Sequence, residues 1–125
     1  MTMADFTARE LDIMNVLWEH GAATVAEVRE RLGEPLAYTT VLTMLRILEE
    51  KGAVDHESVG RAYRYRPLVE RDAARRHAVR RLVDGLFRGS TELLLTQLVR
   101  DRDLDDADVE RLRRILDDEL DERRS

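Results

Sequence analysis

Four polar side chains within a short segment have the clearest chemical potential in this sequence. They are three threonines and one arginine, Thr39, Thr40, Thr43 and Arg46. Short hydroxyl side chains let a helix approach nucleic-acid base edges closely, and a guanidinium can bind a guanine edge or a phosphate. The set therefore predicts a surface that reads base pairs in the major groove of DNA. The alternative is an ordinary solvent-exposed helix face.

A second candidate group lies in the segment Gly60–Arg66, which contains no acid and three arginines, Arg61, Arg64 and Arg66. A local concentration of positive charge in an acidic chain is suited to hold a phosphate backbone. The arginines could instead pair with Asp55 and Glu57 on a neighbouring strand. Tyr63 and Tyr65 alternate with the arginines and are expected to pack beneath the sheet, with base stacking as the alternative.

Helices must position the first group. Capping-box spacing at Thr7 and Glu10, repeated at Thr24 and Glu27, predicts the starts of two helices. A third helix is predicted over roughly residues 37–51. Its inward face at helical spacing consists of Val41, Met44, Leu45 and Leu48. The threonines and the arginine then point away from the core.

A β-hairpin is predicted to position the second group. After Gly52 the sequence alternates with a period of two, Gly60 interrupts the alternation, and Pro67 ends it. Three short helices followed directly by a hairpin are the plan of a winged helix, a helix-turn-helix core with a β wing. The N-terminal domain of this type is assigned to residues 1–68.

Residues 69–125 are predicted to form three further helices. The apolar stripe of the last helix is too narrow for a core helix, so a second copy of the chain is its natural partner. We expect this three-helix domain to form a homodimer through Leu94, Leu98, Val109, Leu112, Leu116 and Leu120. The fold class is therefore mainly α with a small β-hairpin wing.

Composition limits the function classes. The 125 residues include 21 basic and 26 acidic side chains, a net charge of −5, which argues against indiscriminate coating of nucleic acid. The absence of cysteine excludes disulfides, zinc ribbons, iron–sulfur clusters and thiol nucleophiles. The three histidines are scattered without metal-binding or general-base spacing, and no glycine-rich phosphate loop is found. We therefore expect no metal, no cofactor and no enzymatic activity.

Targeting signals are also limited. Met1–Phe6 carries an acid and no apolar region of the kind found in secretory signals. The longest aliphatic run is Leu93–Leu95, far below the ~20 apolar residues that a membrane-spanning helix needs. We expect a cytoplasmic protein without a membrane span.

Several stretches together resemble the penicillinase repressor (BlaI/MecI/CopY) family. They are Glu10–Met14 with Leu17 and Trp18, Leu36–Arg46, Leu48–Gly52, and Gly60–Tyr65 with Pro67. The resemblance extends over nearly the whole chain and implies a dimeric winged-helix transcriptional repressor that binds an inverted-repeat operator. Carried over by position, it implies that the threonines and Arg46 lie in the major groove and that the wing arginines, Arg61 first, hold the backbone.

Two branches of that family differ from this chain. The copper-responsive branch ends in a metal-binding cysteine cluster, whereas this chain has no cysteine. The β-lactam-responsive branch is cleaved at an Asn-Phe bond in the second C-terminal helix, where this chain reads Thr96-Gln97. A sensor or protease that relieves repression remains a candidate partner beside DNA. The alternative function is a winged-helix module that docks another protein.

Overall fold

The computed structural model describes residues 5–125, and residues 1–4, which begin the stretch analysed for a secretory signal, lie outside that range. The described chain forms α1 (Ala8–His20), β1 (Ala23–Thr24), α2 (Val25–Leu32), α3 (Tyr38–Glu50), β2 (Val54–Val59), β3 (Ala62–Pro67), α4 (Arg71–Leu86), α5 (Thr91–Asp101) and α6 (Asp106–Arg124). The prediction of a mainly helical fold with a small hairpin wing is confirmed.

Both predicted capping boxes are present and explain where α1 and α2 begin. The Thr7 hydroxyl accepts a hydrogen bond from the Glu10 N–H at 3.2 Å, and the Glu10 carboxylate accepts one from the Thr7 N–H at 2.8 Å. Thr24 and Glu27 repeat this arrangement at 3.2 and 2.9 Å. Each reciprocal pair satisfies backbone donors that a helix start otherwise leaves without partners.

The core of the N-terminal part lies between the three helices and the sheet. Its largest fully buried side chains come from all of these elements: Ile13, Met14, Leu17, Val25, Val28, Val41, Leu45, Leu48, Val54 and Tyr65. Met44, the fourth residue predicted to face inward from α3, is half-buried against this cluster. Because α3 is buried along one stripe only, its opposite face is available to solvent.

The sheet has three antiparallel strands in the order β1-β3-β2, so the hairpin acquires one strand that the sequence pattern did not predict. In β1, Ala23 pairs with Tyr65, while Val59 pairs with Ala62 at the far end of the hairpin. A strand of two residues is too short to show alternation. The hairpin loop has a positive φ of 63° at Gly60, as the first loop residue of a type II′ turn requires.

The chain divides into two compact units, one ending at Arg80 and the other beginning at Arg81. The start of α4 belongs with the first unit because the Trp18 indole N–H donates to the Val69 carbonyl at 2.8 Å. In addition, the Arg71 guanidinium lies 5.6 Å from the centre of the Trp18 ring, within the range of cation–π attraction. The predicted boundary between a DNA-binding domain of residues 1–68 and a dimerisation domain of residues 69–125 stays a prediction. It falls one residue after β3 ends at Pro67.

The second unit contains the end of α4 together with α5 and α6. Ser90 caps α5, and a third capping box, formed by Asp105 and Asp108, starts α6. Of the predicted dimerisation residues, Leu94, Val109 and Leu112 are half-buried, whereas Leu98, Leu116 and Leu120 are exposed. None of residues 81–125, all of which the structure describes, is buried.

An ion pair connects the start of α1 with the end of α3. Glu10 is only 5% exposed, and the Lys51 ammonium donates a hydrogen bond of 2.7 Å to its carboxylate. Burial alone would raise the pKa of this carboxyl, but the hydrogen bonds from Lys51 and Thr7, together with the charge of Lys51, hold the pKa below its ordinary value. The ionised form of Glu10 is therefore favoured in the folded state.

Replacing Lys51 with methionine is expected to lower the free energy of unfolding by about 1–3 kcal/mol near neutral pH, because it leaves a buried carboxylate without its cationic partner. Since the folded-state pKa of Glu10 is lowered, this stabilisation is present above the ordinary carboxyl value and is lost as the pH falls through the folded-state pKa. Denaturant unfolding of both proteins across acidic pH measures the difference.

The Lys51→Arg variant is the matched control, because it keeps the charge and should retain most of the stability. The gap between the parent protein and Lys51→Met should close in acid. Parallel loss of stability in the two proteins on acidification would contradict a contribution from this ion pair.

Candidate nucleic-acid interface

The outward face of α3 carries the four predicted base-reading side chains, and all four are exposed: Thr39, Thr40, Thr43 and Arg46. The Thr43 hydroxyl donates to the Thr39 carbonyl at 2.8 Å, one helical turn earlier. This bond uses the hydroxyl hydrogen of Thr43, so the methyl group and the oxygen lone pairs are what it offers outward. The face is therefore small and partly apolar near the start of α3, with a cation further along.

The start of α3 differs electrostatically from the starts of α1 and α2. Its N-cap, Ala37, makes no side-chain hydrogen bond, and its first turn contains no acid. In α1 and α2 a glutamate occupies the first turn and caps the backbone. A helix N-terminus without a carboxylate keeps the positive end of the helix dipole available to an approaching anion.

Register separates the three wing arginines into two environments. Arg64 lies opposite Glu57 and Arg66 lies opposite Asp55 in the pairing of β2 with β3. The Arg66 guanidinium donates two hydrogen bonds to Asp55, at 2.5 and 3.0 Å. The hydrogen bond from Arg66, more than its charge, lowers the pKa of Asp55 although partial burial opposes it. The alternative of cross-strand pairing therefore holds for Arg66.

Arg61 lies in the loop at the tip of the hairpin and is exposed. The register pairs Val59 with Ala62, so Arg61 has no residue facing it across the hairpin. Of the wing arginines, Arg61 is thus the one whose charge is best placed for an external anion.

The two wing tyrosines do not behave alike. Tyr65 is buried, at 1% exposure, as predicted. The prediction that Tyr63 also packs beneath the sheet is wrong, because its side chain is 47% exposed. Both rings lie on the same face of β3, but only the half of the hairpin nearest α1 and α3 has a core to cover it. For Tyr63 an external contact remains available.

Two residues that join α3 to the wing were not predicted from the sequence. The His56 imidazole Nδ1 lies 2.8 Å from both carboxylate oxygens of Glu49. Glu49 is near the end of α3 and His56 is in β2. No spacing rule indicates this pair, because the turn between the two elements decides which side chains meet. The contact connects α3 to β2 within the first unit.

Two kinds of feature are absent from residues 5–125. In the range 5–125, no group of three or more histidine, aspartate or glutamate side chains is placed to hold a metal ion. No helix in that range is long and apolar enough to cross a membrane.

A helical core that exposes a polar third helix, followed by a hairpin with an arginine at its tip, defines a winged helix-turn-helix protein of the DNA-binding class. The family described as penicillinase repressor matches residues 6–118. The chain belongs to this family, which confirms the resemblance found in the sequence. A repressor is a non-enzymatic kind of protein.

Individual relatives support the assignment. The penicillinase repressor of Bacillus licheniformis is 24% identical over 111 residues and is similar over 87% of each chain. The methicillin resistance regulatory protein MecI of Mammaliicoccus sciuri is 23% identical over 114 residues, covering 90% of this chain and 93% of the relative. The solution structure of the DNA binding domain of the repressor BlaI is 30% identical with a TM-score of 0.52, covering 58% of this chain and 90% of that one.

Proposed function

We propose that this protein is a sequence-specific transcriptional repressor that binds an inverted-repeat DNA operator as a homodimer in the cytoplasm. The observation that carries the proposal is the exposed face of α3, which combines short hydroxyl side chains and an arginine beside an arginine-tipped hairpin. This combination suits a helix in the major groove with a wing against the backbone. Family membership and the repressor relatives support the same function.

Roles follow from the surroundings of each side chain. Thr39, Thr40 and Thr43 are proposed to contact base edges, with the Thr43 methyl directed at a thymine methyl because its hydroxyl hydrogen is engaged. Arg46 is proposed to bind a guanine edge or a nearby phosphate. Arg61 is proposed as the main phosphate contact of the wing, followed by Arg64, with Arg66 contributing least because Asp55 holds its guanidinium.

The homodimer is proposed from the apolar surface of the second unit. Nine of its large aliphatic side chains are exposed: Leu82, Leu86, Leu93, Leu95, Leu98, Val99, Ile115, Leu116 and Leu120. A unit this small cannot bury these faces by itself, and so much exposed apolar surface indicates an interaction site. A second copy would cover them symmetrically and would present two reading helices to two half-sites.

A fluorescence-anisotropy titration tests the proposed function. Fluorescently labelled DNA from upstream of the protein's own gene is titrated with the protein, and so is scrambled DNA of equal length. Both titrations are made at about 50 and 200 mM salt. Tight binding to the upstream DNA that weakens steeply with salt supports the repressor. If neither DNA binds, and selection from random DNA also yields no site, the protein-docking alternative replaces it.

Arg61→Ala is expected to weaken binding to specific and scrambled DNA alike, by about three- to tenfold, and to reduce the salt dependence by about two ions per dimer, one for each half-site. Arg66→Ala removes the same charge and serves as the matched variant. Its loss should be smaller, because the Arg66 guanidinium is already paired with Asp55. Equal losses in the two variants would contradict the separate roles of the tip and the base of the wing.

A further inference from the structure

The contact between Glu49 and His56 crosses from α3 to the wing. The Nδ1 atom of His56 lies within 2.8 Å of both oxygens of the Glu49 carboxylate. Because a carboxylate only accepts hydrogen bonds, Nδ1 carries the hydrogen of this bond. Both side chains are about one third exposed, at 35% for His56 and 32% for Glu49, so the pair lies at the edge of the core.

The His56 ring also contacts both tyrosines of β3. Its centroid lies 4.8 Å from that of Tyr63 in an edge-to-face arrangement and 5.3 Å from that of Tyr65. Aromatic pairs at these separations attract each other beyond simple burial of area. Glu49, His56 and Tyr63 therefore form a continuous set from α3 through β2 to β3, which we call the helix–wing clamp.

The third strand covers only the near half of the hairpin, because β1 pairs with Arg64 and Tyr65 of β3 and residues 57–63 extend beyond this pairing. Each residue from 57 to 64, on both strands and in the loop, is exposed. A two-stranded hairpin projecting into solvent is marginally stable by itself and can bend relative to the core. The helix–wing clamp lies close to the point where the hairpin extends beyond β1, so it is placed to influence the direction in which Arg61 projects.

We propose that Glu49 and His56 are positioning residues for DNA binding, which hold the wing at the angle where α3 and Arg61 reach the same DNA at once. This inference rests on the proposed function. A wing that is oriented before binding loses less conformational entropy on binding, and the gain appears as affinity. Neither residue needs to contact DNA itself.

Because Glu49 is acidic, its replacement tests the positioning role by the direction in which the DNA affinity changes. Glu50, the next residue of α3, is also acidic and is exposed. Removing an acid near a DNA-binding surface should raise affinity by reducing repulsion, and Glu50→Ala is expected to bind about twofold more tightly. Glu49→Ala removes the same charge but also releases the wing. It is expected to bind about fivefold more weakly.

The experiment measures DNA affinity by anisotropy for full-length variants whose folding is first verified by circular dichroism. His56→Ala is measured alone and in the Arg61→Ala background. If the helix–wing clamp acts through the wing tip, the loss caused by His56→Ala should disappear once Arg61 is absent, because coupled sites are not additive. A merely structural role would lower the unfolding midpoint but leave this coupling at zero.

The possible results separate the two proposals. If the parent protein binds DNA and Arg61→Ala weakens it, while Glu49→Ala tightens binding as Glu50→Ala does, the positioning role is overturned and the proposed function stands. If the parent protein binds no DNA, both are overturned. Opposite signs for the two acidic variants, together with coupling between His56 and Arg61, support the positioning role.

Discussion

Leu116→Asp is expected to convert the proposed dimer to a monomer and to weaken operator binding by about 100-fold or more. Leu116 is 60% exposed on α6 and belongs to the apolar stripe of that helix, so a carboxylate there would have to be desolvated in the interface. Without the interface, each half-site is bound separately and the advantage of linked binding is lost. Light scattering measures the mass, and anisotropy measures the affinity.

Ala107→Asp is the matched control for this prediction. Ala107 is exposed in the first turn of the same helix, nine residues earlier and half a turn around its axis from Leu116. The Ala107→Asp substitution adds the same negative charge as Leu116→Asp, but at a helix start, where an acid is favourable. The control should stay dimeric and bind normally. A Leu116→Asp protein that remains a dimer, or a parent protein that is monomeric at micromolar concentration, would contradict the interface.

Leu45→Ala is expected to lower the free energy of unfolding by about 2–5 kcal/mol, a large share of the total stability of a small domain. Leu45 is fully buried on the inward face of α3, between α1, α2 and the sheet. Its replacement leaves a cavity that the surrounding helices fill only in part. Urea denaturation measures the change, with an unchanged slope expected if the unfolded state is unaffected.

Ile47→Ala is the comparison for the core variant. Ile47 is on the same helix but is 41% exposed, so its truncation removes less buried area and should change the free energy of unfolding by less than about 1 kcal/mol. If both variants lose equal stability, α3 does not pack through the face assigned here. The outward direction of the four proposed DNA-contacting side chains of α3 would then be wrong as well. These are Thr39, Thr40, Thr43 and Arg46.

The charge of the molecule is distributed unevenly, and this bears on how an acidic protein can bind DNA. From Asp101 to Ser125 eleven acids outnumber six basic residues, which amounts to the whole net charge of −5. The segment from Tyr38 to Arg66 contains five basic and four acidic residues, a net charge of +1. Two of those four acids, Asp55 and Glu49, are paired with Arg66 and His56. The segment from Tyr38 to Arg66, which contains the proposed DNA-contacting residues, is thus less acidic than the whole chain.

The sequence by itself determined the elements and their faces. Two capping boxes, at Thr7 and Thr24, mark helix starts because short-range hydrogen bonds depend only on residues three apart. The apolar period of α3 likewise decided which of its side chains point outward, because helix geometry converts spacing into direction. The change to a period of two identified the hairpin, and Gly60 identified its turn.

Only the tertiary structure decided which long-range neighbours meet. The pairing of β1 with β3, the ion pair of Arg66 with Asp55 and the contact of Glu49 with His56 each depend on strand register or on the turn after α3. The different exposure of Tyr63 and Tyr65 depends on where the core ends beneath the hairpin. Local periodicity specifies the direction of a side chain relative to its own element, whereas partners across elements follow from how those elements pack.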